Sequence, residues 1–163
     1  MLVREQLAAL EQRPTQAQSM PAATEMARRQ GILFRLKALG PAFSGTLTNE
    51  TFYKDFDNRR QVGAYVGLAP SPWQSGGTDR EQGISKAGNP RARKAAVELA
   101  WLWLRHQPNS ALTRWFLART AKASKRIKRI AIVALARKLI VALWRYLTTG
   151  LVPVGAVLKP VEA

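Results

Sequence analysis

The sequence predicts an all-α or mainly α fold: a compact helical domain with a helix-hairpin-helix-like start, an N-terminal helical arm and one long Gly-rich loop. Three observations lead to this prediction. Apolar residues recur at helical spacing in most segments, several segments open on a capping residue and close on Gly or Pro, and none alternates as a half-buried strand would. Of the 163 residues, 47% are hydrophobic, which is enough to bury a core.

The predicted arm covers residues 1–39. Leu2 to Gln12 is typical of a helical fragment, which Pro14 and Pro21 interrupt because proline breaks a helix interior. A second, basic helix is expected from Ala22 to Leu39, with apolar residues at helical spacing. We expect the arm to be the end of a longer segment, the main domain to occupy residues 40–158, and residues 159–163 to form a tail.

Gly40-Pro41 should end the second helix and start a short one over Ala42 to Glu50. Asp57 is expected to cap the next helix, Asn58 to Val66. The Leu39-Gly40-Pro41 turn would then lie between two helices, as in a helix-hairpin-helix. Such a turn can offer backbone N–H groups to a phosphate, but Gly-Pro is also an ordinary helix stop, and both interpretations stay open.

Residues 67–89, GLAPSPWQSGGTDREQGISKAGN, contain five Gly and two Pro. This stretch is too rich in helix breakers for a helix, so it should be a long loop or a loose hairpin. Loops above roughly 12 to 15 residues in a compact domain are usually functional or disordered. The flanking predicted helices favour a functional loop.

Asn89-Pro90 should open a helix that continues to about His106, with a cap residue followed by Pro at the first helical position. Its first turn carries Arg91, Arg93 and Lys94, which oppose the helix macrodipole. An external anion would explain these cations better than stability does. The apolar face should face the core, and its expected members are Val97, Ala100, Trp101 and Leu104, with Trp103 beside it.

Two further helices are expected. One runs from Asn109 or Ser110 to about Ala121 and should pack on its predecessor. The last runs from about Ser124 to Thr149 and ends at Gly150, with a buried apolar middle. The first turns of this last helix carry four cations, Lys125, Arg126, Lys128 and Arg129. These cations are equally well interpreted as a solvated face or as a DNA contact.

The charge balance indicates an anionic partner. The chain has 26 Lys and Arg against 10 Asp and Glu, a formal net charge of +16 and a sequence pI near 11.4. Neutralised phosphates release counterions, so such a surface favours nucleic acid. The most apolar stretches are split by Arg137 and Lys138, and the first residues lack an apolar h-region. We therefore expect no membrane span and a cytoplasmic location.

Several kinds of chemistry find no support in the composition. There is no Cys and a single His, so thiol nucleophiles and the usual zinc patterns are excluded. The acidic residues are scattered, and Asp55 with Asp57 is the closest promising pair, so a complete two-metal nuclease site is not expected. No nucleotide-binding glycine motif occurs, so we expect neither a metal site nor a cofactor in this chain.

A serine nucleophile can be placed in the long loop. Ser75 precedes Gly76-Gly77, which allow a sharp turn and close approach of another backbone. The same three residues also fit an ordinary flexible turn. Cations that could hold a scissile phosphate follow within about twenty residues of the serine, namely Arg80, Lys86, Arg91 and Arg93; Gly88 is a further loop-shaping glycine.

Three runs resemble a known family. They are NRRQVGAYVGLAPSPWQSGG (Asn58 to Gly77), GISKAGNPRARKAAVELAW (Gly83 to Trp101) and IAIVALARKLIVALWRYL (Ile130 to Leu147). Together they are similar to the C-terminal transposase domain of the insertion-sequence family numbered one hundred and ten, whose relatives include the Piv-type DNA invertases. The resemblance spans roughly Leu36 to Leu158 and keeps the three motifs in order.

The resemblance implies a serine nucleophile that links covalently to DNA. Ser75 matches it best, with Ser85 and Ser71 as lesser candidates. Lys86, Arg91 and Arg93 would then contact a DNA or RNA backbone, with Lys94 and the cationic start of the last helix as further contacts. The resemblance also implies a structured guide, or bridge, RNA as a partner, and dimer or tetramer contacts through the arm.

Family members join this domain through a coiled-coil arm to an RNase-H-like domain with a DEDD metal site, which would hold a divalent ion such as Mg; the resemblance therefore implies that residues 1–39 are the remnant of such an arm. That domain is absent from these 163 residues, so we expect a truncated copy or a fragment that is inactive alone. Two hypotheses follow: a strand-transferring serine recombinase domain, or a nucleic-acid-binding module without catalysis. A purely structural helical protein would have no use for the Ser-Gly-Gly and Ile-Ser-Lys elements.

Overall fold

The computed structural model describes residues 21–68 and 88–160. In chain order the helices are α1 (Pro21–Phe34), α2 (Pro41–Leu47), α3 (Arg59–Val66), α4 (Pro90–His106), α5 (Ala111–Thr120) and α6 (Lys125–Thr149), and a π-helical segment (Thr48–Phe52) directly follows α2. Within the described ranges the only extended pairing is an isolated antiparallel bridge between Leu36 and Leu158. The predicted all-α class is therefore confirmed.

The long helix α6 is the centre of the fold. It packs against α4, α5, α3 and α1, and its side chains from Ala131 to Tyr146 supply much of the core. Leu33, Leu36 and Leu39 are fully buried in the same core cluster as the leucines of α4 and α6. The residues preceding α2 thus contribute directly to the packed body.

The ends of the last three helices lie where capping chemistry predicts them. The side chains of Asn89, Ser110 and Ser124 each accept a hydrogen bond from a backbone N–H in the first turn of α4, α5 and α6. Gly150 ends α6 in a left-handed conformation with φ of +78°. These predictions are confirmed because caps act within a few residues and need no tertiary information.

Helix α1 ends earlier than expected, at Phe34 rather than Leu39. The reason is a competing backbone partner: Lys37 N donates to Val157 O at 3.2 Å and Lys159 N donates to Arg35 O at 2.7 Å. Leu36 and Leu39 are nevertheless buried. The six-residue connection 35–40 ends at Gly40, the N-cap residue of α2, and Pro41 is the first residue of that helix, one position before the predicted start at Ala42.

The cap of α3 also differs from the prediction. Asn58, and not Asp57, is the N-cap residue, and its side chain accepts from Gln61 N at 3.0 Å. Gln61 Oε1 in turn accepts from Asp57 N at 2.8 Å. This reciprocal arrangement is close to a capping box, and it leaves the carboxylate of Asp57 exposed.

The tryptophan of α4 that is buried in the core is Trp103, and not Trp101 as predicted. Trp103 is fully buried, whereas Trp101 is 47% exposed. Trp103 Nε1 donates to Ser110 Oγ at 2.8 Å, and the core face of α4 includes Ala96, Leu99 and Trp103. The expected face is confirmed for Ala100, which is fully buried, and for Val97 and Leu104, which pack against the core; only the placement of Trp101 on it was wrong.

Helix α5 packs mainly against α6 and touches its predecessor α4, the expected partner, only in part. Its contact with α4 includes the edge-to-face pair of Trp101 and Phe116, whose ring centroids are 6.2 Å apart. Because only four residues separate α5 from α6, the two helices fold back on each other as an α-hairpin.

The C-terminal segment, residues 151–160, lies along the connection 35–40. Gln107 holds both: its Nε2 donates to Lys37 O and Val157 O, each at 2.9 Å, and its Oε1 accepts from Val157 N at 2.8 Å. Lys159 Nζ donates to Phe34 O and Leu39 O, each at 2.6 Å, and burial lowers the pKa of this amine. This segment thus satisfies carbonyl groups at the end of α1.

Candidate nucleic-acid interface

The two ends of the predicted functional loop meet at one place, called here the loop base: Tyr65, Gly67, Gly88 and Asn89. Asn89 N donates to Tyr65 O at 2.7 Å. Gly88 has φ of +103°, and a Cβ there would come within 2.4 Å of Tyr65 O and 2.7 Å of Gly67 N. Only glycine fits so close a crossing, so α3 and α4 are tied together where residues 69–87 leave and re-enter the described chain.

Most of the predicted catalytic loop lies outside the described residues. This applies to the serine candidates Ser71, Ser75 and Ser85, to the cations Arg80 and Lys86, and to the glycines Gly76 and Gly77. Of the remaining predicted site residues, Gly88 lies at the loop base and the others lie on α4 and α6. Their positions are given by the structure, whereas the roles assigned to all of these residues stay predictions.

The cations at the start of α4 have partners within the protein. Glu50, in the π-helical segment, accepts from Asn89 Nδ2 at 2.9 Å and lies 3.6 Å from Arg91 Nη1. Its carboxylate offsets part of the repulsion between Arg91 and the helix macrodipole, so an external anion is not required to explain Arg91. The Arg91 side chain is nevertheless 83% exposed, and Lys94 is exposed beside it.

The basic helix start of α6 comprises Lys125, Arg126, Lys128 and Arg129. Every residue from Lys125 to Ile130 is exposed, so this part of the helix projects beyond the core, which begins at Ala131. None of its four cations forms a salt bridge with the described residues. Unpaired cations on a projecting helix are available to an external polyanion.

Aromatic and cationic residues form a second exposed cluster that the sequence analysis did not identify. Tyr53 and Tyr65 share a hydrogen bond of 2.7 Å between their hydroxyls, which raises the pKa of Tyr53. Phe56 packs on Tyr65 with centroids 5.6 Å apart, and Lys54 Nζ lies 4.6 Å from the Tyr65 centroid. The run Phe52-Tyr53-Lys54-Asp55-Phe56 was the available signal, since aromatics interleaved with a cation are typical of nucleic-acid surfaces.

Arg29 is the polar anchor next to this cluster. Its guanidinium donates to Glu25 Oε1 at 2.9 Å and to Asp55 Oδ1 at 2.8 Å, and a third hydrogen bond goes to the carbonyl of Phe52. Hydrogen bonds from Arg28 and then Arg29 lower the pKa of Glu25 to about 2. Arg29 therefore ties α1 to the turn that carries the aromatic cluster.

The described residues do not offer a metal centre. Within residues 21–68 and 88–160 no group of three or more His, Asp or Glu side chains converges. The carboxylate of Asp55, which the sequence analysis considered together with Asp57, forms a salt bridge with Arg29. The divalent ion implied by the family resemblance therefore has no fitting ligand set on this part of the chain. None of the described helices is both long and apolar enough to cross a bilayer.

The fold and the surface together define the class of protein, which is a strongly basic, all-helical domain with exposed cations at the starts of α4 and α6. The family follows from comparison with known proteins. Residues 31–129, more than half of the chain, match the model of the family described as "Transposase IS116/IS110/IS902 family". The chain therefore belongs to the IS116/IS110/IS902 family of transposases.

Two relatives from Sinorhizobium fredii carry matching names. "Putative transposase y4rJ" is 56% identical over 129 residues, which cover 78% of this chain and 33% of that protein. "Putative transposase y4qE" is 37% identical over 76 residues, which cover 47% of this chain and 19% of that protein. The chain thus spans a third or less of the length of these relatives.

Proposed function

We propose that this chain is the DNA-handling part of a transposase. Its basic surfaces bind DNA and a structured guide RNA, and Ser75 is the nucleophile of strand cleavage and transfer. The observation that carries the proposal is the basic helix start of α6. Its four cations project from the core without a salt bridge to the described residues, in a chain of net charge +16 that belongs to a transposase family.

The chemistry proposed for Ser75 is a phosphodiester exchange. The serine Oγ attacks a backbone phosphorus, loses its proton, and forms a phosphoserine ester while the bond from phosphorus to one sugar oxygen breaks. The leaving sugar oxygen takes up a proton. One phosphodiester replaces another, so the step needs no oxidant or energy source, and the reverse step rejoins the strand.

The loop base supports this assignment of roles. Gly88 and Asn89 fix the point at which residues 69–87 rejoin α4, and the exposed cations Arg91 and Lys94 follow immediately. In the proposal these two side chains, with Arg93, Arg80 and Lys86, hold the scissile phosphate and the charge that develops on it. The metal ion would belong to a separate DEDD domain, and the arm, apart from Leu33, Leu36 and Leu39, which are buried in the core, would add dimer or tetramer contacts.

A second candidate function is nucleic-acid binding without strand cleavage. It is favoured by the location of the basic helix start on a rigid, capped helix, because such a surface binds phosphates whether or not a loop serine reacts. Both candidates predict binding, and only the first predicts a covalent link.

The test is electrophoretic. Wild-type chain and its Ser75→Ala variant, each supplied with the DEDD domain and Mg²⁺ that the proposal assigns to a separate domain, are titrated against labelled duplex DNA, single-stranded DNA and structured RNA, and then denatured to reveal attached strands. Equal binding with an adduct only in the wild type supports the serine proposal. Binding without any adduct supports the second candidate, and an adduct that persists in Ser75→Ala refutes the assignment of Ser75.

A further inference from the structure

A groove of about 330 Å³ opens between α1, the turn that follows the π-helical segment, and the C-terminal part of α6. This volume is at the lower end of the roughly 300 to 1,000 Å³ typical of small-ligand sites. Its walls combine cations, aromatic rings and a hydroxyl, with Arg28, Lys54, Phe56, Trp144 and Thr148 among the lining residues. No residue of the basic helix start takes part.

The aromatic side of the groove is supported by packing among Phe56 and two tyrosines. Phe56 and Trp144 are each half-buried, so part of each ring remains accessible. Phe56 packs on Tyr65 at 5.6 Å, and Tyr65 packs edge-to-face on Tyr53 at 6.3 Å. The hydroxyls of the two tyrosines are hydrogen-bonded. Because these contacts restrict the rotation of the Phe56 side chain before a ligand binds, stacking a base on its ring costs less conformational entropy.

The charged side of the groove has cations left for a ligand. Asp55, the acidic lining residue, is paired with Arg29 at 2.8 Å, which offsets its charge. Lys54 is exposed, with its Nζ 4.6 Å from the Tyr65 centroid, and Arg28 is half-exposed and makes two hydrogen bonds to Glu25, at 2.6 and 2.9 Å. Three cations, Arg28, Arg29 and Lys54, thus face two carboxylates, Glu25 and Asp55, and the one excess positive charge can bind a ligand anion at the rim without displacing the ion pair of Arg29.

We infer that this groove binds an unpaired nucleotide, with the base stacked on Phe56 or Trp144 and the adjacent phosphates at Lys54 and Arg28. A duplex hides the faces of its bases within the stack, so only an unpaired or extruded base can use such rings. DNA and RNA share this chemistry. The inference adds a second nucleic-acid contact to the proposed function and depends on different residues.

The test compares octamers that carry the same number of phosphates. Fluorescence anisotropy measures the affinity of the whole chain for a labelled deoxythymidine octamer, a uridine octamer and an abasic octamer. We expect a base-bearing octamer to bind roughly tenfold more tightly than the abasic one, because each stacked base contributes measurably. The octamer with the larger preference identifies the strand type, and equal affinity for all three overturns the inference.

Variants locate the contact. Phe56→Leu keeps an apolar side chain without the ring, and should remove most of the base-dependent preference. Trp101→Leu is the matched control, since Trp101 is 47% exposed on α4 and is not a lining residue of the groove, and it should retain the preference. A folded Phe56→Leu variant with an unchanged preference contradicts the inference.

A measurement on the wild-type chain covers the case in which Phe56→Leu does not fold. An octamer with photoreactive 5-iodouracil is crosslinked to the chain, and the attached peptides are mapped. Adducts at Phe56 or Trp144 support the inference, whereas adducts confined to the basic helix start refute it. Because duplex binding is measured separately with variants of α6, failure of this inference is distinguishable from failure of the proposed function.

Discussion

At Gly88 the backbone has no space for a side chain. The Gly88→Ala variant places a Cβ within 2.4 Å of Tyr65 O at φ of +103°, so we expect a loss of about 3 kcal/mol or more in the free energy of unfolding. Gly150→Ala separates the two causes, since Gly150 has φ of +78° but open space around it, and should cost only about 1 kcal/mol. Urea denaturation followed by circular dichroism measures both, and equal losses would contradict the steric argument.

Trp103 and Trp101 make a second pair at the scale of single residues. Trp103→Phe removes the donor of the 2.8 Å hydrogen bond to buried Ser110 Oγ and leaves a cavity, so it should lower the free energy of unfolding by about 2 to 3 kcal/mol. Trp101→Phe, at a site 47% exposed, should cost below about 1 kcal/mol. Denaturation midpoints compare the two, and a larger loss for Trp101→Phe would show that α4 is rotated from its described orientation.

Among the elements, the C-terminal segment is held at Val157 by one buried side chain. Gln107 is 1% exposed and makes three hydrogen bonds to Lys37 and Val157. Gln107→Ala should cost about 2 to 3 kcal/mol, because backbone groups lose their partners, and should speed hydrogen exchange at the Val157 amide. Gln61→Ala, at an exposed glutamine bonded to Asp57, is the control and should leave that exchange unchanged. Unaltered exchange in Gln107→Ala would mean that other contacts hold the segment.

Local signals predicted the elements better than distant ones. The starts of α4, α5 and α6 follow from Asn89, Ser110 and Ser124, which act on the next turn alone. The end of α1 at Phe34 depends on pairing between residues more than a hundred positions apart, and no local pattern encodes that. The same limit applies to the candidate site: the basic helix start is readable as a charge run, but the groove beside Phe56 assembles from three separate segments.

At the scale of the whole molecule, the two cationic surfaces serve different ligands in this account. The basic helix start projects from the end of α6 and fits the repeating phosphates of a duplex, whereas the groove near the other end of the helix has stacking surfaces for an unpaired base. The net charge of +16 attracts any polyanion at long range, so position on the surface, and not total charge, decides which contact forms.

The most direct test of the central claim, that the basic helix start contacts DNA, is the salt dependence of duplex binding. Lys125, Arg126, Lys128 and Arg129 are replaced by Gln in one variant, and the exposed cations Lys37, Arg105, Arg114 and Arg145 in a control of identical net charge. The slope of log affinity against log salt falls by about one for each phosphate that the protein no longer neutralises. We predict a clearly shallower slope and weaker binding for the first variant than for the control. Identical slopes for the two variants would contradict the claim, because total charge alone would then account for binding.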